Sequence, residues 1–257
     1  MQCLRLKPPL SFPVTFSPSK HLRRNHLPAW SSTRSPIKSM STTVEHIVLF
    51  KVKDDTDPSK VTAMVNGLSS LISLDHVLHL TVGPILRNRS TSLTFTHMLH
   101  SRYNSKEDLD AYSAHPSHLG VVRGNVLPII DDLMAVDWVA EDLRGDIVTP
   151  QGSAMRLTLL KLKENADSGK VLGVIREIPE SFKQISQLSC GENFSPARAK
   201  GFSVASLAVF PGQGELEDVD SNGEVVSYHK DKVRDLLESV VVVDYVVPPP
   251  PAQSASL

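Results

Sequence analysis

Between Leu109 and Pro128 the chain reads LDAYSAHPSHLGVVRGNVLP, which sets Tyr112, His115, Pro116 and His118 within seven residues. Imidazole ordinarily titrates near neutral pH, so two of them invite general acid–base chemistry. A tyrosine hydroxyl beside them can orient a base or donate to a developing oxyanion. The spacing also says how these groups are held. The residue before a proline is pushed out of αR geometry, so one helix must stop at His115. Pro116 can open the next helix, where a missing N–H costs nothing. Ser113 or Ser117 is available as its cap. Tyr112 and His118 lie six apart across that break, so their side chains can converge.

The elements that must position this stretch come in two copies. Val44–Lys53 (VEHIVLFKVK) pairs with Ala154–Lys163 (AMRLTLLKLK), and both read as strands. An amphipathic helix follows each, at Pro58–Ser73 and Ala166–Ile178. Pro58 marks a helix start and Pro179 a helix end. Two strands come next, near His76–Gly83 and Ser92–Ser101, then near Gln184–Gly191 and Gly201–Phe210. Second helical regions are expected at Lys106–Asp132 and about Gly223–Glu238. Each copy closes on a strand with the same ending, LMAVDW at Leu133–Trp138 and SVVVVDY at Ser239–Tyr245. The order β-α-β-β-α-β gives a four-stranded antiparallel sheet with helices on one face, so the class is α+β with two tandem ferredoxin-like repeats. The bare sheet face needs a partner, either the other repeat or another subunit.

The expected boundaries are a leader at 1–43, a first repeat at 44–141, a linker at 142–153, a second repeat at 154–247 and a Pro-rich tail at 248–257. Met1–Val44 has no acidic residue and is basic and Ser-rich, the composition of a plastid-type transit peptide. The chain ends Ala255–Ser256–Leu257, near the Ser-Lys-Leu peroxisomal signal but without its basic residue. Net charge is −1, which gives no global field for nucleic acid. No apolar run approaches the ~18 residues of a membrane span. Cys3 and Cys190 are the only cysteines, so no disulfide framework is expected.

The segments His46–Lys53 (HIVLFKVK), Phe95–His97 (FTH), Tyr112–His118 (YSAHPSH) and Val136–Trp138 (VDW) together resemble the stress-response A/B barrel family, the dimeric α+β barrels. The first repeat matches throughout, and the second in layout only. The resemblance implies two four-stranded sheets closing a barrel, within the chain or in a homodimer. Some plant relatives are polyketide cyclases that perform an aldol closure between sheet and helices. There, the residues matching the catalytic pair are Tyr112 and His118. His46, His97 and His115 match further pocket positions. Plant relatives can also hold Mg²⁺ where the first helix ends, mainly through main-chain carbonyls, and Leu71, Leu74, Asp75 and Val77 match those positions. No cofactor is required, and magnesium is optional.

The same Tyr-x-x-His-Pro-x-His pattern also occurs in relatives of no known activity, where it can simply fix the helix break. In the second repeat Val219, Asn222 and Val225 stand opposite Tyr112, His115 and His118, and Arg156 replaces His46, so any site is single. The expectation is therefore a stress-associated, non-enzymatic barrel that self-associates or binds a small hydrophobic ligand. The alternative is a one-site cyclase. Other signals read as structural. Asp54, Asp55 and Asp57 suit a helix cap. His76 and His79 fall on opposite faces of a strand. Glu215–Glu224 reads as a solvated acidic loop.

Overall fold

The computed structural model describes residues 42–90, 93–141 and 143–249. The expected leader and tail, with both targeting signals, lie outside these residues apart from two positions at each inner edge. The first repeat begins with strand β1 (Thr43–Val52), which alternates strictly. Ile47 and Leu49 face one core, and Val44, Val48 and Phe50 face another. Asp57 then caps helix α1 (Pro58–Ser70), accepting from the Ser59 N–H at 2.8 Å. After a 3-10 turn at Leu71–Ser73 come β2 (His79–Asn88) and β3 (His97–Tyr103). Helix α2 (Lys106–Ala114) starts at Ser105, whose hydroxyl accepts from the Asp108 N–H. Helix α3 (Pro116–Val121) widens into a π-type turn at Val122–Val126 and leads to β4 (Ile130–Ala140).

The second repeat follows the same order. It runs through β5 (Ala154–Leu162), α4 (Ser168–Ser181), β6 (Gln187–Glu192), β7 (Val204–Phe210), α5 (Gln213–Ser221), α6 (Gly223–Val233) and β8 (Leu237–Val246). Three expectations are corrected. The second and third strands of each repeat begin later than expected, because apolar residues such as Leu74 and Val77 pack on the helix-side core from a turn. Pro179 does not end α4, which continues to Ser181, since a proline this near the last turn removes only one backbone bond. The acidic stretch at 215–224 is not a loop. Leu216 and Val219 bury one face of α5, and Glu217 and Asp218 stay exposed on the other.

All eight strands form one sheet in the order β4-β1-β3-β2-β8-β5-β7-β6. The two repeats join where β2 pairs with β8, Ile85 facing Tyr245 and Asn88 facing Val243. At the free edges β4 meets β6. Trp138 forms a bridge with Asn193, and its indole N–H donates to Ser189 Oγ at 2.8 Å. The sheet thus closes on itself into a barrel within one chain, with the helices outside. Gly191 lets the second seam close. A Cβ there would stand 2.8 Å from the Val139 carbonyl oxygen and 2.9 Å from Trp138 Cδ1.

The barrel interior is filled by side chains of both repeats, among them Leu49, Met134, Trp138, Leu157, Leu207 and Tyr245. One end is polar. Glu45, Arg102 and His79 lie side by side on β1, β3 and β2. Arg102 donates to Glu45, to Gln187 Oε1 at 2.6 Å and to the linker carbonyl of Ile147 at 2.7 Å, so the linker plugs this end. Among the described residues no helix is long and apolar enough to cross a membrane.

Candidate functional site

The strands place three polar residues in one row on the helix-facing side of the first repeat. Ser101, His46 and Asp137 are direct neighbours across β3, β1 and β4. His46 Nδ1 lies 2.5 Å from Asp137 Oδ1, and both residues are buried. A carboxylate only accepts, so Nδ1 carries the proton. Burial works against the Asp137 charge, but His46 overcomes it and holds the carboxyl below its ordinary range. Over this pair come the aromatic rings. Tyr103 and Tyr112 each stand 6.3 Å from His46, centroid to centroid, and 5.2 Å from each other. The Tyr103 hydroxyl meets Ser101 Oγ at 2.9 Å. Burial raises the pKa of both phenols, which keeps them protonated donors.

The helix break does what the sequence requires of it. His115 is extended, Pro116 opens α3, and Tyr112 and His118 come together with ring centroids 4.6 Å apart. His118 Nδ1 lies 3.0 Å from the Ser113 carbonyl oxygen. That oxygen can only accept, so Nδ1 bears the proton and Nε2 of the neutral ring is an acceptor. Burial lowers the His118 pKa, so the ring is a neutral base at physiological pH.

Not every expected site residue joins this group. The cap of α3 is neither Ser113 nor Ser117 but His115 itself, whose Nδ1 accepts from the Ser117 N–H at 3.1 Å. His97 shares the helix-facing side, opposite Phe50, but lies six residues along β3 from Tyr103, about 20 Å at 3.3 Å per residue. It bonds Thr96 instead, at 2.9 Å. His76 sits in a turn and meets Asp108 at 3.2 Å, and His79 faces the barrel interior. The expected magnesium ligands lie at the end of α1 and the turn after it. The carbonyls of Leu71 and Leu74 already accept from the N–H groups of Leu74 and Val77, and Asp75 is the one carboxylate of the four. Hard cations prefer six or more oxygens. No chemistry below runs through a metal.

The residues missed at the sequence level are Asp137, Tyr103, Ser101 and a segment of the second repeat. Asn193 Oδ1 accepts from the Asp137 N–H at 3.1 Å, and the Phe194 N–H donates to the Asp137 carbonyl at 2.9 Å. The Val-Asp-aromatic ending common to both repeats was the available signal for Asp137. In the second repeat Arg156 faces Asp244 in the register of His46 and Asp137. There the row is an ion-pair network. Arg87, Arg89 and Arg156 all donate to Asp244, and Arg156 also reaches Asp220 at 2.7 Å.

A closed eight-stranded α+β barrel built from two ferredoxin-like halves, with one histidine–tyrosine cluster, defines the class. The chain matches the stress responsive A/B barrel domain twice, over residues 44–140 and 155–247, and belongs to that family. It is 51% identical to a stress-response A/B barrel domain-containing protein of Arabidopsis thaliana, over 100% of both chains. It is 46% identical to a second protein of that description from the same plant, covering 81% of this chain and 99% of that one. Among solved structures, an anthrone oxidase-like protein superposes with a TM-score of 0.58 at 10% identity, covering 84% of this chain and 97% of that one. At that identity the likeness is one of fold.

Proposed function

We propose that this stress-response barrel protein holds one small hydrophobic ligand per chain, bearing a carbonyl or hydroxyl group, at the helix-facing side of the first repeat. The observation that carries this reading is the asymmetry between the repeats. One register position holds a buried His46–Asp137 pair under two tyrosines and a neutral histidine. In the other repeat the same position is consumed by arginine–aspartate ion pairs. A purely structural barrel has no need of two histidines packed against one tyrosine beside a buried carboxylate, since buried polar groups cost stability. Val48, Met64, Leu109 and Val126 belong to the same buried core as the two tyrosines, so a ligand entering there would meet hydrocarbon.

A second reading is a one-site cyclase. It is favoured by the fixed tautomer of His118, whose Nε2 could take a proton alpha to a ketone while Tyr112 donates to the enolate oxygen. Binding and turnover then share the same residues.

The test uses 3-oxododecanoate as a β-dicarbonyl probe on the full chain, followed by native mass spectrometry. One molecule bound per chain, lost in His118→Ala, supports the site. No binding, two molecules per chain, or binding indifferent to His118→Ala overturns it. A 1,5-diketone offered in place of the probe and released as its cyclic aldol product would establish the second reading.

A further inference from the structure

The second repeat lacks a site of its own, yet it touches the first repeat's site at its most constrained point. Within the first repeat β4 is an edge strand, paired only with β1. Its outward backbone groups at Asp137 would be orphaned, and an orphaned buried N–H or C=O is costly. The segment after β6 satisfies both. Asn193 Oδ1 takes the Asp137 N–H, and the Phe194 N–H takes the Asp137 carbonyl. Asn193 is itself held in place. Its Oδ1 also accepts from the Ser195 N–H at 3.0 Å, and its Nδ2 donates to the Phe202 carbonyl at 3.1 Å. The Phe194 ring packs on the helix-side core of the first repeat, under the Lys106 ammonium at 4.3 Å. Lys200 ties the far end of the segment to Asp132 at 2.7 Å.

The exchange occurs twice. The end of β2 in the first repeat reaches across the other seam, where Arg87 and Arg89 donate to Asp244 at 3.1 Å each. Each repeat therefore holds the closing-strand aspartate of the other. On one side the result is an ion-pair lock. On the other it is a histidine held by a carboxylate.

We propose that the segment Asn193–Phe202 of the second repeat is a working part of the first repeat's site, a clamp that fixes Asp137 and through it orients His46. The degenerate repeat is then retained as a positioning element, and the tandem is a single one-site unit. This deepens the ligand-binding reading and rests on it for its purpose, but its geometry is independent of any ligand.

The test is proton NMR of the full chain without added ligand. The His46 Nδ1 proton, bonded to a carboxylate, is expected far downfield and slow to exchange, and is assigned by its absence from His46→Gln. Asn193→Ala removes the acceptor for the Asp137 N–H, and the His46 proton should then exchange at least about tenfold faster in a chain that still melts cooperatively. Asn193→Asp, which keeps the acceptor oxygen, should restore part of the protection. If Asn193→Ala fails to fold, Phe194→Ala decides, since it keeps the backbone bonds and removes only the ring that seats the segment. It too should speed exchange. Unchanged exchange in whichever variant is folded overturns the clamp. The two readings fail separately. A wild-type chain that never binds the probe sinks the ligand reading and leaves the clamp standing. Unchanged His46 exchange beside normal probe binding does the reverse.

Discussion

Asp137 and Asp244 hold the same place in the two repeats, each on the closing strand opposite the first strand, but one faces His46 and the other Arg156. Asp244 is fully buried and receives three guanidinium groups. Removing it leaves Asp220 as the carboxylate that the three guanidinium groups still share. Asp244→Ala is expected to cost about 3 kcal/mol, the low end of the range for breaking a buried pair on one side, because Arg87 and Arg89 are partly exposed. Asp137→Asn keeps the shape and one acceptor, and should cost about 1.5–3 kcal/mol, the worth of a charged hydrogen bond. Urea unfolding of both variants checks the order. Equal losses, or a larger loss at Asp137, would show that the two positions are energetically alike.

The seam between β4 and β6 depends on having no side chain at Gly191. A Cβ at that position meets backbone and an indole, neither of which swings aside. Gly191→Ala should therefore push the seam apart and destabilise the chain by about 1–3 kcal/mol, as overpacking does elsewhere. Limited proteolysis gives the structural readout, with cleavage in the linker rising as the repeats separate. An unaltered melt would mean that β4 and β6 stand farther apart than the structure places them.

Much of this was legible in the sequence. The two repeats, the helix break at Pro116 and the meeting of Tyr112 with His118 follow from periodicity and from proline stereochemistry, both local. The partner of His46 was not. Nothing near His46 in the chain names Asp137, because the link is strand register over 91 positions. The same holds for Asn193, which belongs to the other repeat. His97 and His115 join the site only through the family resemblance, and geometry separates them. One caps a helix through its own ring, a task usually given to serine or aspartate. The acidic helix α5 was misread because charge density hides its two buried residues, Leu216 and Val219.

The polar end of the barrel makes a pH prediction. Burial, aided by the neighbouring His100 and Arg102, pushes His79 down from 6.5 to about 3. Between those values the unfolded chain binds a proton that the folded chain does not, so stability rises with pH there. Glu45 acts in the same direction lower down. Burial opposes its charge, but His100 and Arg102 hold it at about 2 against an ordinary 4.5. Its stabilisation is present above 4.5 and is lost as pH falls towards 2. The chain should therefore lose stability on acidification below about 6.5, and faster below 4.5. His79→Gln should flatten the upper part of that profile by up to about 1.4 kcal/mol per pH unit. Melts at stepped pH test this, and an identical slope in the variant would remove His79 from the explanation.

His118 separates binding from folding. Its ring is half-buried, makes one hydrogen bond to a carbonyl of its own helix break and rests against Tyr112. The break itself is set by Pro116 and capped by His115, so His118→Ala should leave the fold intact, with a loss within about 1 kcal/mol. His115→Ala should do the opposite. It removes a cap and costs about 1 kcal/mol while leaving His46, Tyr112 and His118 in place. Comparing melts with probe binding in the two variants decides whether the pattern is a site or a fastening. If His118→Ala abolishes the cooperative melt, the histidine is structural and the cluster is part of the packing. If it melts normally but no longer retains the probe, while His115→Ala melts earlier and still binds, the two histidines of one short pattern have divided labour, His115 holding the helix and His118 meeting the ligand.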